Sequence, residues 1–512
     1  MSEPMDAPGV RTLPSADRAF FGHPTGLSTL FFTEMWERFS YYGMRAILTL
    51  YMTKSLVEGG LGFDERYASL IYATYVSSVW YLPLIGGWLA DKVFGARRAV
   101  LIGGIIIACG HYSMAINSRL TFYAGLILIA CGTGLLKPNI SAMVGQLYSE
   151  DDKRRDAGFS IFYMGINLGA FLSPIVVGFL AQSAAFRNFI SSLGFNPNSS
   201  WHWGFGAAGV GMTLGLIQYV LGAKRLSGIG KKPAESGVQV QSSETKVDYL
   251  TMILAVTGGA VGAALGFVFG DAGVLSALFP CVVGFFFGYL LGTTRQLNGE
   301  ELKRVLVIFI LFVFSILFWM TYEQAGSSLT LFADRLTRTT LLGWQYPSSW
   351  FQSVPAIFVI ILAPIIGAIW QKLGARQPSS PGKFTIGLFF AGIAFVVIAF
   401  ASTLTGAGRV SPMWLVIVYF LQTIGELCLS PVGLSTVTKL SPARMVGLML
   451  GVWFLSISIG SYVAGLTTRL FEGNDPAVLT RAFGMFAGIT LVAAAILAVL
   501  TPLIKRLTPK AA

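Results

Sequence analysis

Seven ionisable side chains fall inside stretches too apolar for a water-facing surface: Glu34, Glu37, Arg38, Arg45, Lys137, Glu323 and Glu426. A charge at membrane depth is expensive unless it faces a polar interior or a partner, so such groups mark places where chemistry can occur. Four of them lie in Glu34-Met-Trp-Glu37-Arg38-Phe39-Ser-Tyr41-Tyr42-Gly-Met-Arg45. On a helix, Glu34, Arg38, Tyr41 and Arg45 share one stripe and Glu37 sits beside it. Carboxylates and guanidinium groups so placed can hold a proton or trade one ion-pair partner for another. Two readings are compatible with the spacing: a satisfied ion pair that fixes helix packing, and a site that handles protons and a charged substrate.

The charges are unevenly divided along the chain. The first half holds Glu34, Glu37, Arg38, Arg45 and Lys137, formally +1, and the second holds Glu323 and Glu426, formally −2. A cavity with one cationic and one anionic wall suits a zwitterion with separated ends, such as a short peptide, better than a sugar. Arg45 and Lys137 suit a carboxylate. Glu426 and the neutral acceptor Asn167 suit an ammonium. Tyr41, Tyr42 and Tyr163 offer hydroxyls and apolar faces for a variable side chain. The tyrosines are equally compatible with plain packing, and Asn167 with a bond between helices. Glu323, or the Glu34/Glu37–Lys137 cluster, is the candidate to take up and release a proton. A substrate carboxylate competing for Lys137 or Arg45 would free a carboxylate to be protonated, which couples the two events.

The elements that position these groups are long apolar helices. The 512 residues are 54% hydrophobic and 12% charged, the composition of a polytopic membrane protein. About 20 mainly apolar residues span a bilayer. Fourteen such segments are expected: 26–52, 66–90, 98–117, 121–147, 157–182, 203–222, 248–268, 273–293, 304–332, 347–371, 385–403, 413–438, 445–470 and 480–503. The net charge of +12 comes from basic residues scattered over short loops, which excludes a nucleic-acid patch. With the N-terminus inside, 24 Lys and Arg fall in inside segments and 9 outside, so both termini are expected in the cytoplasm. The polar first 24 residues show no secretory signal. Cys109, Cys131, Cys281 and Cys428 lie in apolar stretches without CxxC or Cys/His spacing, so buried free thiols are expected, with no metal site.

The chain repeats itself. Leu82-Pro-Leu-Ile-Gly86 recurs as Ala363-Pro-Ile-Ile-Gly367, an offset of 281. Gly132-Thr-Gly-Leu-Leu-Lys137-Pro138 recurs as Gly425-Glu426-Leu-Cys-Leu-Ser430-Pro431, and Phe162-Tyr-Met-Gly-Ile-Asn167-Leu-Gly169 as Trp453-Phe-Leu-Ser-Ile-Ser458-Ile-Gly460, with offsets of 293 and 291. In register, these imply two parallel six-helix halves, a transporter architecture. The repeat places Ser430 where the first half has Lys137, and Glu426 where it has Thr133. Expected divisions are an N-terminus at 1–24, a first bundle at 25–223, a linker and helix pair at 224–300, a second bundle at 301–505 and a tail at 506–512. Ser227 to Lys246 is the clear linker. The turn Gly86-Gly-Trp-Leu-Ala-Asp91-Lys-Val-Phe-Gly95-Ala-Arg97-Arg98 is compatible with a conformational latch built on Asp91, Arg97 and Arg98, or with a loop set by topology alone.

That turn resembles the loop signature of the major facilitator superfamily. Glu34-xx-Glu37-Arg38-Phe39-x-Tyr41-Tyr42 resembles the ExxERFxYY motif of proton-coupled oligopeptide transporters. Phe162-Tyr163-xx-Ile166-Asn167-x-Gly169 and Gly425-Glu426-xxx-Ser430-Pro431 resemble the other two signatures of that family. The resemblance covers essentially the whole chain, extra helix pair included. It implies an all-α major facilitator fold of two six-helix bundles plus two helices, and inward symport of di- and tripeptides with protons by alternating access. It implies Arg45 and Lys137 on the peptide carboxylate, Glu426 and Asn167 on the amino terminus, with Ser430 beside them, and Glu34, Glu37, Arg38, Lys137 and Glu323 in proton coupling and gating. It also implies a multi-pass protein of the inner (plasma) membrane, working as a monomer with protons as its coupling ion and no cofactor. Two departures stand out. Animal members carry a histidine in the second helix, where this chain has Ile71-Tyr72-Ala73-Thr74. Many relatives have Asn-Pro where this chain has Ser353-Val354-Pro355.

Other classes fit less well. A carrier of nitrate or another small anion has the same superfamily fold but no use for Glu426. A fourteen-helix drug exporter would not need Arg45 together with Lys137. An enzyme is disfavoured, since no metal cluster, Ser/His/Asp set or GxxxxGK[ST] loop is present in the sequence.

Overall fold

The structure is a computed structural model that describes residues 18–149, 152–231, 248–270, 273–442, 445–471 and 473–507. Most of the linker and the ends of both termini lie outside these residues. Fourteen helices have 19 residues or more. They are α1 (Thr25–Thr53), α2 (Glu65–Leu89), α3 (Ala96–Met114), α4 (Arg119–Gln146), α5 (Arg155–Gln182), α7 (Ser200–Leu221), α8 (Tyr249–Phe269), α9 (Val274–Thr294), α10 (Gly299–Tyr322), α12 (Val354–Leu373), α13 (Ser380–Thr403), α14 (Met413–Leu440), α15 (Val446–Leu466) and α16 (Pro476–Leu507). Two short helices, α6 (Ala184–Ser192) and α11 (Ser328–Leu336), also occur among the described residues. Among the described residues, twelve spans are long and apolar enough to cross a membrane. The remaining two long helices are α1, which carries the charged stripe, and α3.

Three features depart from the expected segments. The span foreseen at 304–332 is broken, because Glu323–Gly326 forms a 3-10 turn between α10 and α11. The connection before α12 holds a small hairpin of β1 (Thr340–Leu341) and β2 (Trp344–Gln345), turned at Leu342 and Gly343, both with positive φ. Helix α6 was not foreseen, being too short to span. The cysteines are free, as expected, but Cys109 and Cys131 are exposed and only Cys428 is buried.

The chain forms two compact units that are not continuous in sequence. The first comprises 1–62, 81–241 and 339–360, and the second 63–80, 242–338 and 361–512. Helices α2 and α12, which carry the matched Leu82-Pro and Ala363-Pro motifs, each change unit along their length. The changes fall at Tyr81 and Ile361, in line with the repeat. In the first unit, α1 packs on α5 and α7, and α3 on α4 and α7. The second unit buries a core of aromatic and branched side chains, among them Phe318, Trp319, Phe384 and Trp453. There α8 and α9 form a hairpin packed through glycines: a Cβ at Gly258 would lie 2.2 Å from the Gly284 carbonyl oxygen. Helix α10 starts with a reciprocal cap between Asn298 and Glu301, 2.9 and 3.1 Å.

Candidate functional site

The charged stripe of α1 is buried. Glu34, Glu37 and Arg38 are at most 4% exposed, and Arg45 is 9% exposed. The Arg38 Nε donates to Glu34 Oε1 at 2.8 Å and lies 2.8 Å from Glu37 Oε2. One guanidinium thus serves two carboxylates, and its Cζ lies 5.9 Å from the centre of the Tyr41 ring. Tyr41 meets Tyr42 edge to face at 5.1 Å. Lys137 on α4 is close enough to attract Glu37 electrostatically. Two acids, Arg38 and Lys137 therefore form one interacting group.

Small residues bring the other helices to this group. A Cβ at Gly169 would lie 2.3 Å from the Met35 carbonyl oxygen and 3.0 Å from Arg38 Cβ, so α5 rests on the backbone of α1 beside the arginine. A Cβ at Gly86 would lie 2.0 Å from the Gly134 carbonyl oxygen, so α2 meets α4 one turn before Lys137. Asn139 donates to the Leu135 carbonyl at 2.7 Å and to Gly86 at 3.4 Å, beside Pro138, whose ring supplies no N–H to the helix. The motif glycines are contact points, and the charged residues stand between them. Asn167 donates to the Tyr163 carbonyl of its own helix at 2.9 Å, not to another helix. Tyr163 is 42% exposed.

The second unit collects the two remaining acids. Tyr322 donates to Glu426 Oε2 at 2.5 Å, and Glu323, the next residue, is close enough to repel Glu426. Glu323 is 2% exposed and begins the 3-10 turn that breaks the helix. The turn is held by Gln324, which donates to the Ala464 carbonyl at 3.1 Å and to Thr467 at 3.2 Å, and accepts from Ser327 and Ser328. Tyr72 of α2 presses its hydroxyl on Gly326, where any Cβ would collide. Tyr322 was missed at the level of sequence. Its signal is its position directly before an intramembrane acid. Ser430 is half-buried on the same helix as Glu426, one turn further on.

The remaining sequence candidates occupy other roles. Asp91 is exposed on a single π-helical turn, Ala90–Phe94, that ends at Gly95 with φ 76°. Arg97 does not pair with it. Its Nη2 donates to the Ala223 carbonyl at 2.7 Å and its backbone N–H to Gly230 at 2.9 Å, tying the turn to the segment after α7. Arg98 is exposed. Ser353, two residues before Pro355, donates to the Phe171 carbonyl at 2.7 Å. At the N-terminal end of the first unit, His23 Nδ1 lies 2.9 Å from the Tyr148 hydroxyl. Burial and then the nearby Arg154 hold the His23 pKa below its usual value. Burial pushes Tyr148 up to about 12. Asp152 is held low by hydrogen bonds from Arg154, at 2.8 Å for the closest.

Known proteins resemble this chain closely. The family model described as "PTR2: POT family" matches residues 97–482. An uncharacterized transporter, YclF, of Bacillus subtilis (strain 168) is 42% identical over 505 residues, 97% of each protein. A di-/tripeptide transporter of Lactococcus lactis subsp. cremoris is 35% identical, covering 94% of this chain and 97% of its own. The crystal structure of a variant of peptide transporter POT in complex with alafosfalin superposes with a TM-score of 0.80 at 42% identity, over 96% of this chain and 98% of that one.

Proposed function

This chain belongs to the POT family, and on that premise we propose that it is a proton-coupled symporter importing di- and tripeptides by alternating access. The family is one of multi-pass membrane transporters; that this chain has no enzymatic activity, needs no cofactor beyond protons, lies in the plasma membrane with both termini in the cytoplasm and works as a monomer belongs to the same proposal. The observation that carries the reading is the pairing of charge types in each unit. The first unit offers Arg45 and Lys137 for a carboxylate. The second offers Glu426, already accepting a hydrogen bond from Tyr322, for an ammonium. Tyr41, Tyr42, Tyr163, Asn167 and Ser430 line the same reading as neutral contacts. The peptide would also be recognised by its net neutrality, since both its charges are matched and neither group is left buried alone.

Proton coupling follows from the count of charges around Arg38. Glu34 and Glu37 share one guanidinium, so the second carboxylate needs either the Lys137 ammonium or a proton. A peptide carboxylate that engages Lys137 withdraws that cation, and Glu37 takes a proton in its place. Release of the peptide restores the Glu37–Lys137 attraction and expels the proton. Glu323, one residue from Tyr322, is the second proposed proton carrier, linked to the peptide's amino end through Glu426. The turn with Asp91, Arg97 and Arg98 is proposed to act as the conformational latch, opening by release of Arg97 from Ala223.

The test is uptake of labelled dialanine into liposomes holding the purified protein, with acid outside and neutral buffer inside. Accumulation that a protonophore abolishes supports the reading. Folded protein that moves nitrate and not dialanine overturns it in favour of a small-anion carrier.

A further inference from the structure

We propose that the first unit holds a bilayer phospholipid with an ethanolamine headgroup, in a lateral groove on the side of the membrane away from the N-terminus. A cavity of about 660 Å³ lies among α1, α3, α5 and α7, between Trp36 and Phe39, Val176 and Leu180, and Val210 and Leu214. Val176, Val210 and Leu214 are 42–51% exposed although they belong to membrane-spanning helices. The medium that meets them is acyl chain, and a groove open to it is filled by acyl chain. The lining on α7 runs from Ser199 to Leu214, about 22 Å of helical rise. One leaflet of hydrocarbon is about 15 Å deep, so the groove accommodates one chain with part of its headgroup.

The polar side chains Asn117, Ser199 and His202 line one end of the cavity, while the hydroxyl of the lining Tyr112 is spent on Thr213 at 2.8 Å. That end carries interfacial marks. Trp203 packs edge to face on Phe195 and Phe186, at 5.6 and 6.0 Å. The short helix α6 sets Phe186, Phe189 and Ile190 against Arg187 and Asn188, an amphipathic pattern that lies in a membrane surface. His202 is 6% exposed, and its Nδ1 lies 3.0 Å from the Met114 carbonyl oxygen. A carbonyl only accepts, so Nδ1 carries the proton and Nε2 is an acceptor. That Nε2 is buried without a hydrogen-bond partner among the described residues. A donor from a ligand at this end would complete it. No lining residue is charged, but Arg187 donates to Ser200, next to the lining Ser199, at 3.3 Å. A zwitterionic head with a phosphate for Arg187 and an N–H donor for His202 is phosphatidylethanolamine. A choline head has the charge but no donor.

The test uses the full chain in liposomes doped with a phospholipid bearing a photoreactive tail, with ethanolamine or choline as its head. Adducts are mapped after digestion. The expected result is labelling concentrated on 176–180 and 203–214, well above that on the exposed face of α8 at Val256, Val261 and Leu265. Loss of one charge-assisted hydrogen bond should make the choline probe about tenfold weaker in the groove. Excess unlabelled ethanolamine lipid should suppress the groove adducts in the unaltered protein. Gly206→Trp should abolish them, since a Cβ there meets only the Ala115 Cβ, at 3.6 Å, and the indole would occupy the cavity. Labelling of the groove no stronger than α8, or unmoved by competition, overturns the site. Equal labelling by the two heads overturns the ethanolamine assignment.

Discussion

Ser77 on α2 and Ser458 on α15 hold each other twice: the Ser77 hydroxyl donates to the Ser458 carbonyl at 3.0 Å, and the Ser458 hydroxyl to the Ser77 carbonyl at 2.8 Å. Ser458 is the residue that the internal repeat matches to Asn167. In the second unit that position is spent joining helices, four residues before Tyr462 and seven before Gly465, whose Cβ would lie 2.2 Å from the Ala73 Cβ. In the first unit the 3-10 turn before α12, Ser348–Ser353, leans on α5 in the corresponding way, through Ser353 to Phe171 and Trp350 to Ile175. The middle of α2 and the turn leading into α12, the two helices that change unit, are thus fastened by backbone-directed bonds that can break without leaving a charge behind.

The reciprocal serine pair should be coupled. Ser77→Ala and Ser458→Ala should each cost about 1 kcal/mol of stability in detergent, as bonds between membrane helices do. The double variant should cost less than the sum. Thermal unfolding of the four proteins of the cycle measures this; strict additivity would show that the two bonds act independently.

Replacement of Glu426 by Gln keeps an acceptor for Tyr322 and removes the charge. Dipeptide binding should weaken by about 2 kcal/mol, roughly thirtyfold, because the peptide ammonium loses its counter-ion. Tyr322→Phe should cost less, since it removes an orienting hydroxyl only. Competition of unlabelled against labelled dipeptide measures both.

Glu37→Gln should separate transport from its driving force. Peptide exchange between two equal pools needs no net proton movement and should survive, whereas accumulation against a gradient under external acid should fail. Loss of both together would place Glu37 in peptide binding or folding instead.

Gly169→Val should destabilise the protein by about 2 kcal/mol or more, because the added Cβ meets the Met35 carbonyl at 2.3 Å and that backbone cannot yield. The loss should appear as poor recovery from the membrane and a lowered melting temperature, with no selective effect on peptide affinity.

His23 gives a pH dependence whose sign is set by its environment. Its folded-state pKa lies below its ordinary value of 6.5, so the unfolded chain binds the proton more readily. Stability from this group is present above pH 6.5 and declines as pH falls through it. The facing groups do not titrate there: Tyr148 is pushed up to about 12, Asp152 is held low and Arg154 stays charged. Melting curves at pH 7.5 and 5.5 should differ more for the unaltered protein than for His23→Gln.

Much was legible in the sequence because lipid imposes strict rules. Apolar length announces a helix, an intramembrane charge announces a site, and repeats at offsets of 281 to 293 announce two halves. The Glu34–Arg38 bond is local, an i to i+4 contact on one helix, so spacing alone foretold it. The contacts that tertiary structure decided are distant in sequence. Tyr322 reaches Glu426 across 104 residues and Ser77 reaches Ser458 across 381. Arg97 reaches the Ala223 carbonyl, just after α7 and 126 residues away, in place of Asp91. The helix break at Glu323 carries no Pro, and its one Gly closes the turn. It exists because Ala464 and Thr467, which accept from Gln324, and Tyr72, which presses on Gly326, hold it from outside the segment. Spacing determines which residues share a helix face; which face meets which is settled only when glycines let particular backbones touch.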